Sequence, residues 1–253
     1  MRDLDKRAAL DEAAAQRDVR VNVLPLDLTD PKSIETATTA IIDQAGHIYG
    51  LINNAGIGLR GYFEDLTADE ICQIVNVNLL GTMAVTRAVL PHMRAAKRGR
   101  IAIISSVAGR IASMGLTAYC TTKFAQEGFG ESLAQEVIPF NIYVTLIEPA
   151  IIKTERWHEN RGIAQNALNP HSPYYDWFRK SEQAADRLVE TSPTKPIHVA
   201  ECIHKVLTAN RPRLRYVVGR RANLAVKLRR YLPGELFEKL YFGYAVRQVT
   251  NGR

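Results

Sequence analysis

Apolar and polar residues follow two different periods along the chain, and these periods predict strands and helices in turn. Residues 19–26 alternate and are rich in β-branched side chains, which predicts a strand. Apolar residues then recur at helical spacing after Asp30 and Pro31, which suit the N-cap and first position of a helix, and Gly46 marks its end. Residues 48–52 predict the next strand.

The alternation of strands and helices continues along the chain. Thr67 and Glu70 form a capping-box pattern, which predicts a helix that begins there and reaches residue 96. Residues 150–195 are rich in aromatic side chains, and we expect irregular structure there. Further strands are predicted over 100–105, 142–147 and 216–219, and further helices over 5–17, 117–137 and 199–209. This order is typical of a single α/β domain, in which helices cover both faces of a parallel sheet.

Composition excludes several classes of protein. The chain has 253 residues, of which 46% are hydrophobic and 23% charged, as in folded proteins and unlike disordered ones. No apolar run approaches the roughly 20 residues of a membrane span, and no signal-peptide pattern is visible. Cys72, Cys120 and Cys202 are widely spaced, as expected in a reducing cytoplasm, and no metal site is predicted.

The net charge of +7 is concentrated in the carboxyl-terminal part of the chain. Residues 211–253 carry +9, whereas residues 1–210 carry −2. Residues 221–253 contain two amphipathic segments with basic side chains between the apolar ones. Such segments either pack on the body of the protein or across a dimer, or lie in a membrane interface with anionic lipid. Nucleic-acid binding is not predicted, since no nucleic-acid-binding motif accompanies the charge.

Polar side chains follow the predicted strands, at the sheet edge where parallel folds bind ligands. Tyr119 and Lys123 are spaced i, i+4 and share one face of the helix predicted over 117–137. A tyrosine has a reference pKa of about 10, and a nearby ammonium group favours the phenolate that acts as a base. Ser106 follows a strand and can donate a hydrogen bond to a substrate oxygen. The pattern therefore predicts acid–base chemistry.

Several motifs occur together in a characteristic order. They are Asp27, the run Asn53-Asn54-Ala55-Gly56, Asn78, Ser106, the pair Tyr119 and Lys123, and the segment from Pro149 to Thr154. With these motifs the chain resembles the short-chain dehydrogenase/reductase family over residues 1–220. A weaker likeness in residues 124–128 and 210–219 points to the hydroxysteroid and retinol dehydrogenase branch. The resemblance implies a Rossmann-like doubly wound parallel sheet.

The resemblance also implies catalytic roles for four residues. Tyr119 is the general acid/base, and Lys123 lowers the pKa of Tyr119 and holds the nicotinamide ribose. Ser106 orients the substrate oxygen. Asn78 kinks the long helix and positions a water that links Lys123 to solvent.

A further set of residues is implied to bind the cofactor, with NADP favoured and NAD as the alternative. Asp27 contacts the adenine, residues 54–56 line the cofactor backbone, and Thr154 binds the nicotinamide carboxamide. Arg2 lies where the family has a basic residue for the adenosine 2′-phosphate, which favours NADP. The full implied set is Arg2, Asp27, Leu28, Asn54, Ala55, Gly56, Tyr119, Lys123, Pro149, Ile152 and Thr154.

Two features depart from the family pattern. Ala150 stands where the family has glycine, which alters the loop slightly. No glycine precedes Gly46, so the first β-α-β segment with its glycine-rich pyrophosphate-binding turn is missing. We expect either a native protein that begins further upstream or a shortened protein with weak cofactor binding. The missing strands would lie between residues 19–26 and 48–52, which leaves strand edges and an apolar face uncovered.

The function expected from the resemblance is hydride transfer between NADP(H) and a secondary alcohol or carbonyl. Residues 150–195 form the substrate loop, whose aromatic side chains suit a bulky apolar substrate such as a steroid, retinoid or lipid. The dehydrogenase domain is predicted over 1–220, followed by basic amphipathic helices over 221–253. A homodimer or homotetramer through residues 68–96 and 117–137 is implied. The alternative is a non-catalytic binding or scaffold protein on the same fold.

Overall fold

The computed structural model describes residues 4–154 and 161–250, which form six strands and nine α-helices. The strands are β1 (Gly50–Asn53), β2 (Gly58–Arg60), β3 (Gly99–Ile104), β4 (Ile142–Pro149), β5 (Arg161–Ile163) and β6 (Arg215–Val218). The helices are α1 (Ala8–Ala15), α2 (Pro31–Ala45), α3 (Ala68–Val75), α4 (Gly81–Ala95), α5 (Thr117–Val137), α6 (Tyr175–Glu190), α7 (Pro196–Thr208), α8 (Arg220–Tyr231) and α9 (Gly234–Thr250).

The main sheet contains four parallel strands in the order β1-β3-β4-β6. Side chains of β3 alternate between its faces. Ile101 and Ile103 join the core beneath α2, α4 and α5, whereas Ala102 packs with Val206 of α7 on the opposite face. Helices therefore cover both faces, and the predicted Rossmann-like α/β fold is confirmed. Strands β2 and β5 pair separately.

Local signals for helix ends match the structure. The Asp30 side chain accepts a hydrogen bond from the Lys32 amide at the start of α2, and Gly46 ends this helix with a φ of 72°. The capping box is present in both directions, since Thr67 accepts from the Glu70 amide and the Glu70 side chain binds the Thr67 amide. These contacts satisfy backbone groups that a helix end leaves without partners.

The strand predicted over residues 19–26 is wrong, because these residues form no strand. β1 is instead an edge of the four-stranded sheet. A strand needs a neighbour for its backbone groups, and none of the described residues pairs with β1 on its outer side. Beside this edge, an apolar groove of about 300 Å³ separates α2 from β1 and is lined by Leu26, Ile34, Ile41 and Leu51.

The irregular structure predicted over residues 150–195 is also wrong in part, because α6 occupies residues 175–190. Phe178 and Val189 are buried on one side of this helix, at helical spacing. The aromatic residues before it pack together: the rings of Tyr62 and Tyr174 stack 4.8 Å apart. Because aromatic side chains are frequent in this segment, the helical period of residues 175–190 was not recognised in the sequence.

The long helix predicted from Thr67 to residue 96 is interrupted by a π turn over Asn76–Leu80. By length and composition alone, the helical segment over residues 68–95 could cross a membrane. However, Ile74 and Met93 are fully buried in the protein core, and Asn78 between them is buried as well. One side of the segment therefore belongs to the protein core, whereas Leu80 and Met83 are exposed.

The two carboxyl-terminal helices bury one part of their apolar residues and expose another. Val226 and Phe237 pack with Ile111 in a small core. Leu228 of α8 and Leu240 of α9 are exposed. The segments thus pack on the body, as one of the two interpretations predicted, but they leave an apolar surface uncovered.

The contact between α5 and the sheet predicts opposite effects for two glycines of this helix. A Cβ at Gly130 would lie 2.8 Å from Leu146, whereas a Cβ at Gly128 meets nothing within 4 Å. We expect Gly130→Ala to lower the free energy of unfolding by about 1–3 kcal/mol through overpacking. Gly128→Ala, the matched control, raises it by about 0.5–1 kcal/mol, since alanine favours the helix. Urea unfolding measures both, and equal effects would contradict this packing.

Candidate active site

The carboxyl ends of β1, β3 and β4 open into one cavity of about 870 Å³. The cavity contains three of the four predicted catalytic residues, Ser106, Tyr119 and Lys123. Five predicted cofactor-binding residues besides Tyr119 and Lys123 also line it, namely Asn54, Gly56, Pro149, Ile152 and Thr154. Residues that lie up to 100 positions apart in sequence thus meet at one site, as parallel pairing of the strands requires.

The fourth predicted catalytic residue, Asn78, lies behind the cavity in the π turn. Its side chain is fully buried and bridges two elements. The Asn78 Oδ1 atom accepts from the Ile57 amide at 2.8 Å, and Nδ2 donates to the Ile57 carbonyl at 2.9 Å and to Thr122 Oγ1 at 3.3 Å. Asn78 therefore fixes the loop after β1 against α5. It lies within the π turn that interrupts the long helix, and its implied role in positioning a water stays a prediction.

Tyr119 lies in the first turn of α5, close to Ser106 at the end of β3. Burial raises the pKa of the Tyr119 hydroxyl, and a hydrogen bond with Ser106 lowers it in part. The Ser106 Oγ atom accepts from the Ala108 amide at 3.1 Å and donates to the Pro149 carbonyl at 3.5 Å, so the hydroxyl lies between the ends of β3 and β4. The net direction is upward, which favours the protonated hydroxyl, the form of Tyr119 that can give a proton to a bound oxygen.

Lys123 is buried one turn after Tyr119. The ammonium Nζ donates to the Ile104 carbonyl at 2.8 Å and to Gln126 Oε1 at 3.0 Å, and it lies 5.6 Å from the centroid of the Tyr119 ring. Burial lowers the pKa of Lys123 to about 8. The lysine is positioned near the tyrosine as expected, but in this structure burial decides the direction of the Tyr119 pKa.

Gln126 is a site residue that the sequence analysis missed. Its side chain is almost completely buried, and it donates to the Asn78 carbonyl while its oxygen accepts from Lys123. The chain Lys123–Gln126–Asn78 thus connects the buried cation directly to the π turn. The sequence feature that could have identified Gln126 is its position three residues after Lys123, on the same helix face.

The remaining predicted cofactor residues lie outside the cavity lining or outside the described residues. Asp27 accepts from the Thr29 amide and hydroxyl, and Leu28 packs against the start of α4 at Gly81. Ala55 is exposed. Arg2 lies outside the described residues. Their cofactor contacts stay predictions.

Ala150 takes the place of the family's glycine without backbone strain. It is not among the residues with positive φ. Space for its side chain comes from Gly219, whose own Cβ would approach the Ala150 Cβ to 2.7 Å. Gly219 has a φ of 133°, which favours glycine. The departure at Ala150 is therefore accommodated by a glycine at the end of β6.

A further wall of the cavity comes from α6 and α9 and is mostly apolar, with Lys180, Ser181 and Gln248 as its polar members. Ala184, Ala185 and Leu188 line it from α6, and Tyr241, Ala245 and Val249 line it from α9. The Tyr241 hydroxyl forms a 2.9 Å hydrogen bond with Ser113, which fixes α9 against the loop before α5. The sequence analysis did not place α9 at the site, because the pairing of these distant segments has no local signal.

Comparisons with known proteins show the family of the chain. Residues 2–163 match the family described as short chain dehydrogenase. The 3-ketodihydrosphingosine reductase of Bacteroides thetaiotaomicron is 34% identical over 230 residues, covering 90% of this chain and 84% of that protein. Human retinol dehydrogenase 5 is 33% identical over 235 residues, covering 87% of this chain and 72% of that protein. A crystal structure of a short-chain dehydrogenase from Streptomyces avermitilis has a TM-score of 0.79 at 29% identity, covering 96% of this chain and 86% of that one.

Proposed function

Because this chain belongs to the short-chain dehydrogenase family, we propose that it transfers a hydride between NADP(H) and a secondary alcohol or carbonyl of a bulky apolar substrate. The similarity to retinol dehydrogenases supports the branch that the motifs indicated. The observation that carries the proposal is the meeting of Ser106, Tyr119 and Lys123 on the floor of one cavity.

The residues around the cavity fit the nicotinamide end of such a cofactor. The Lys123 ammonium would bind the ribose hydroxyls, and the Thr154 hydroxyl would bind the carboxamide. Asn54 and Gly56 would offer backbone groups along the same side. When bound, the nicotinamide supplies or accepts the hydride. The preference for NADP over NAD rests on Arg2.

The described residues supply the proton chemistry. In the direction of reduction, the Tyr119 hydroxyl gives its proton to the substrate oxygen as that oxygen gains negative charge. In the direction of oxidation, the phenolate takes the hydroxyl proton of the alcohol. Ser106 donates a hydrogen bond to the same oxygen, and Lys123 stabilises the phenolate by its charge.

The wall formed by α6 and α9 supports the proposed substrate class. Alanine, leucine, valine and tyrosine side chains form most of this wall, and apolar burial there favours a lipid-like molecule. The names of the two relatives, a 3-ketodihydrosphingosine reductase and a retinol dehydrogenase, describe proteins that act on such molecules. This agreement supports a steroid, retinoid or other lipid alcohol or ketone.

Tyr119→Phe tests the proposed mechanism, since it removes the transferable proton and keeps the ring. We expect kcat to fall at least roughly 100-fold, as is typical for loss of a general acid/base. Tyr143→Phe, at the opposite end of β4, is the matched control and should keep full activity. Turnover is followed by NADPH absorbance with long-chain ketones and retinoids.

Cofactor titration separates the enzyme from the non-catalytic alternative. Calorimetric binding of NADPH by the wild type and equally by Tyr119→Phe supports an enzyme that lacks only its proton donor. Absence of NADPH and NADH binding would favour the scaffold function instead. Unchanged kcat in Tyr119→Phe would remove Tyr119 from the mechanism.

We further propose that the protein works in the cytoplasm at a membrane surface, through α8 and α9. On α9, Leu236, Leu240 and Tyr244 are exposed and recur every four residues, whereas Phe237 at the edge of this stripe is buried. Basic residues flank them, among which Lys227, Arg230, Lys239 and Arg247 are exposed. An exposed apolar stripe with basic neighbours fits an anionic lipid interface, from which an apolar substrate is available.

Substitution of exposed apolar residues of α9 tests the membrane contact and leaves the residues of α9 that line the cavity unchanged. We expect Leu240→Glu with Tyr244→Glu to lower the partition coefficient onto anionic vesicles at least roughly tenfold, since two apolar groups are lost. Phe63→Glu is the control, because Phe63 is 61% exposed and belongs to neither α8 nor α9, and it should co-sediment like wild type. Equal partition of all three proteins would refute the contact.

A homodimer or homotetramer through the long helices completes the proposal. Leu80, Met83 and Phe124 are exposed at the end of the π turn, on α4 and on α5. An apolar patch of this kind is typical of a subunit interface. We expect Phe124→Asp to shift the sedimentation coefficient toward a monomer, whereas a wild type that already sediments as a monomer would contradict the assembly.

A further inference from the structure

A buried group of charges lies on the side of α5 that faces β4 and β6. Glu127 follows Lys123 by one helical turn, and its Oε2 atom accepts from Arg215 Nε at 2.9 Å. Glu148 of β4 is completely buried and accepts from Arg110 at 2.9 Å. Arg215 also lies 3.5 Å from Glu148. Two arginines from two different elements thus hold two buried carboxylates beside the proposed catalytic helix.

Arg215 binds a second carboxylate on α5, and the two differ in burial. Glu131 lies one turn beyond Glu127 and also accepts from Arg215. The Glu131 side chain is 54% exposed, whereas the Glu127 side chain is 7% exposed. Water therefore screens the charge of Glu131, while the charge of Glu127 acts inside the protein.

The carboxylate of Glu127 is only partly compensated. Its Oε1 atom is buried and has no hydrogen-bond partner among the described residues. The backbone at Gly109 packs directly against this part of α5: a Cβ there would lie 2.8 Å from the Lys123 carbonyl oxygen and 3.1 Å from Glu127 Cγ. The absence of a side chain at Gly109 is what allows Glu127 to lie against the protein body.

Titratable groups of several elements lie along this part of α5, and Lys180 of α6 lines the same cavity as Lys123. Tyr119, Glu127 and Glu131 lie on α5, Arg110 follows β3, Glu148 lies on β4, and Arg215 lies on β6. Burial lowers the pKa of Lys123, and the charge of Glu127 opposes that effect. Both arginines are bound to carboxylates, which reduces their repulsion of the lysine.

We propose that Glu127 is a positioning residue for the hydride transfer proposed above, and that its buried carboxylate keeps Lys123 charged. Arg215 holds the carboxylate in place from β6, and Arg110 with Glu148 completes the support from β3 and β4. The inference rests on the proposed function for its role in catalysis, but the effect on Lys123 is a property of the free protein.

The consequence for activity has a definite sign. Without the charge of Glu127, Lys123 loses its proton at lower pH. A neutral lysine no longer favours the Tyr119 phenolate, so the phenolate forms only at higher pH. The rising limb of kcat/KM against pH for alcohol oxidation therefore moves to higher pH.

The Lys123 titration tests the inference directly. Protein with ¹³C-labelled lysine is titrated without cofactor or substrate, and the Lys123 Cε resonance is assigned with Lys123→Arg. We expect Glu127→Gln to lower the titration midpoint by on the order of one pH unit. Glu131→Gln, which also removes a partner of Arg215, should leave the midpoint unchanged. A wild-type midpoint in Glu127→Gln, or the same displacement in Glu131→Gln, would overturn the proposal.

Glu127→Asp keeps the inference open to refutation if the glutamine variant does not fold. It preserves the charge on a shorter side chain. We expect its Lys123 titration midpoint to lie slightly below that of wild type, and above that of Glu127→Gln if the glutamine variant folds. A midpoint above wild type would count against the role. A wild type that lacks dehydrogenase activity but shows the expected lysine titrations would contradict the proposed function alone.

Discussion

An ammonium group inside a protein must be solvated by protein groups, and much of the polar architecture of this site follows from the burial of Lys123. Its nitrogen donates to the Ile104 carbonyl at the end of β3 and to Gln126. Gln126 donates in turn to the carbonyl of Asn78. That carbonyl also accepts from Thr82, so the π turn and the lysine form one connected network.

The same network reaches the loop that follows β1. Both polar atoms of the Asn78 side chain bind the backbone of Ile57, one as acceptor and one as donor. Gly56 beside it packs so closely that a Cβ would lie 3.2 Å from Asn78 Oδ1. A single buried amide therefore connects the cation of α5, the π turn and the cavity wall at β1. Disturbing any of the three strains the others, because buried polar groups without partners cost about 1–3 kcal/mol each.

The sequence predicted what local chemistry controls. Asp30, Gly46 and Thr67 satisfy backbone groups within their own helix ends, so their roles depend on nearby residues alone. The helix over 117–137 has the predicted bounds, and the i, i+4 spacing of Tyr119 and Lys123 held because a helix fixes it. The strand ends that carry Ser106 and Pro149 also met as expected, since parallel strands of one sheet share an edge.

What the sequence could not predict depends on distant partners. Residues 19–26 have the composition of a strand, but pairing needs a neighbour, and the described chain provides none there. The roles of Gln126 and Glu127 could be recognised only once the face of α5 that packs on β4 was known. Arg215, which binds Glu127 on this face, lies 88 residues further along the chain. Likewise, α6 and α9 line the cavity together, and the hydrogen bond between them from Lys180 to the Val249 carbonyl joins residues 69 positions apart in sequence.

The position of α9 joins two parts of the proposed function in one helix. Tyr241 and Val249 line the cavity above the proposed catalytic residues, while Leu240 and Tyr244 point to solvent. A helix has room for both because adjacent residues lie about 100° apart around its axis. A lipid substrate that leaves the membrane interface along α9 would contact the apolar cavity wall before the polar floor. The apolar body of the substrate would therefore be buried first, and its oxygen would then reach Ser106 and Tyr119. The hydrogen bonds of Lys123 go to Ile104 and Gln126, and neither partner lies on α9, so changes on the exposed face of α9 should alter access to the site without altering the proton chemistry.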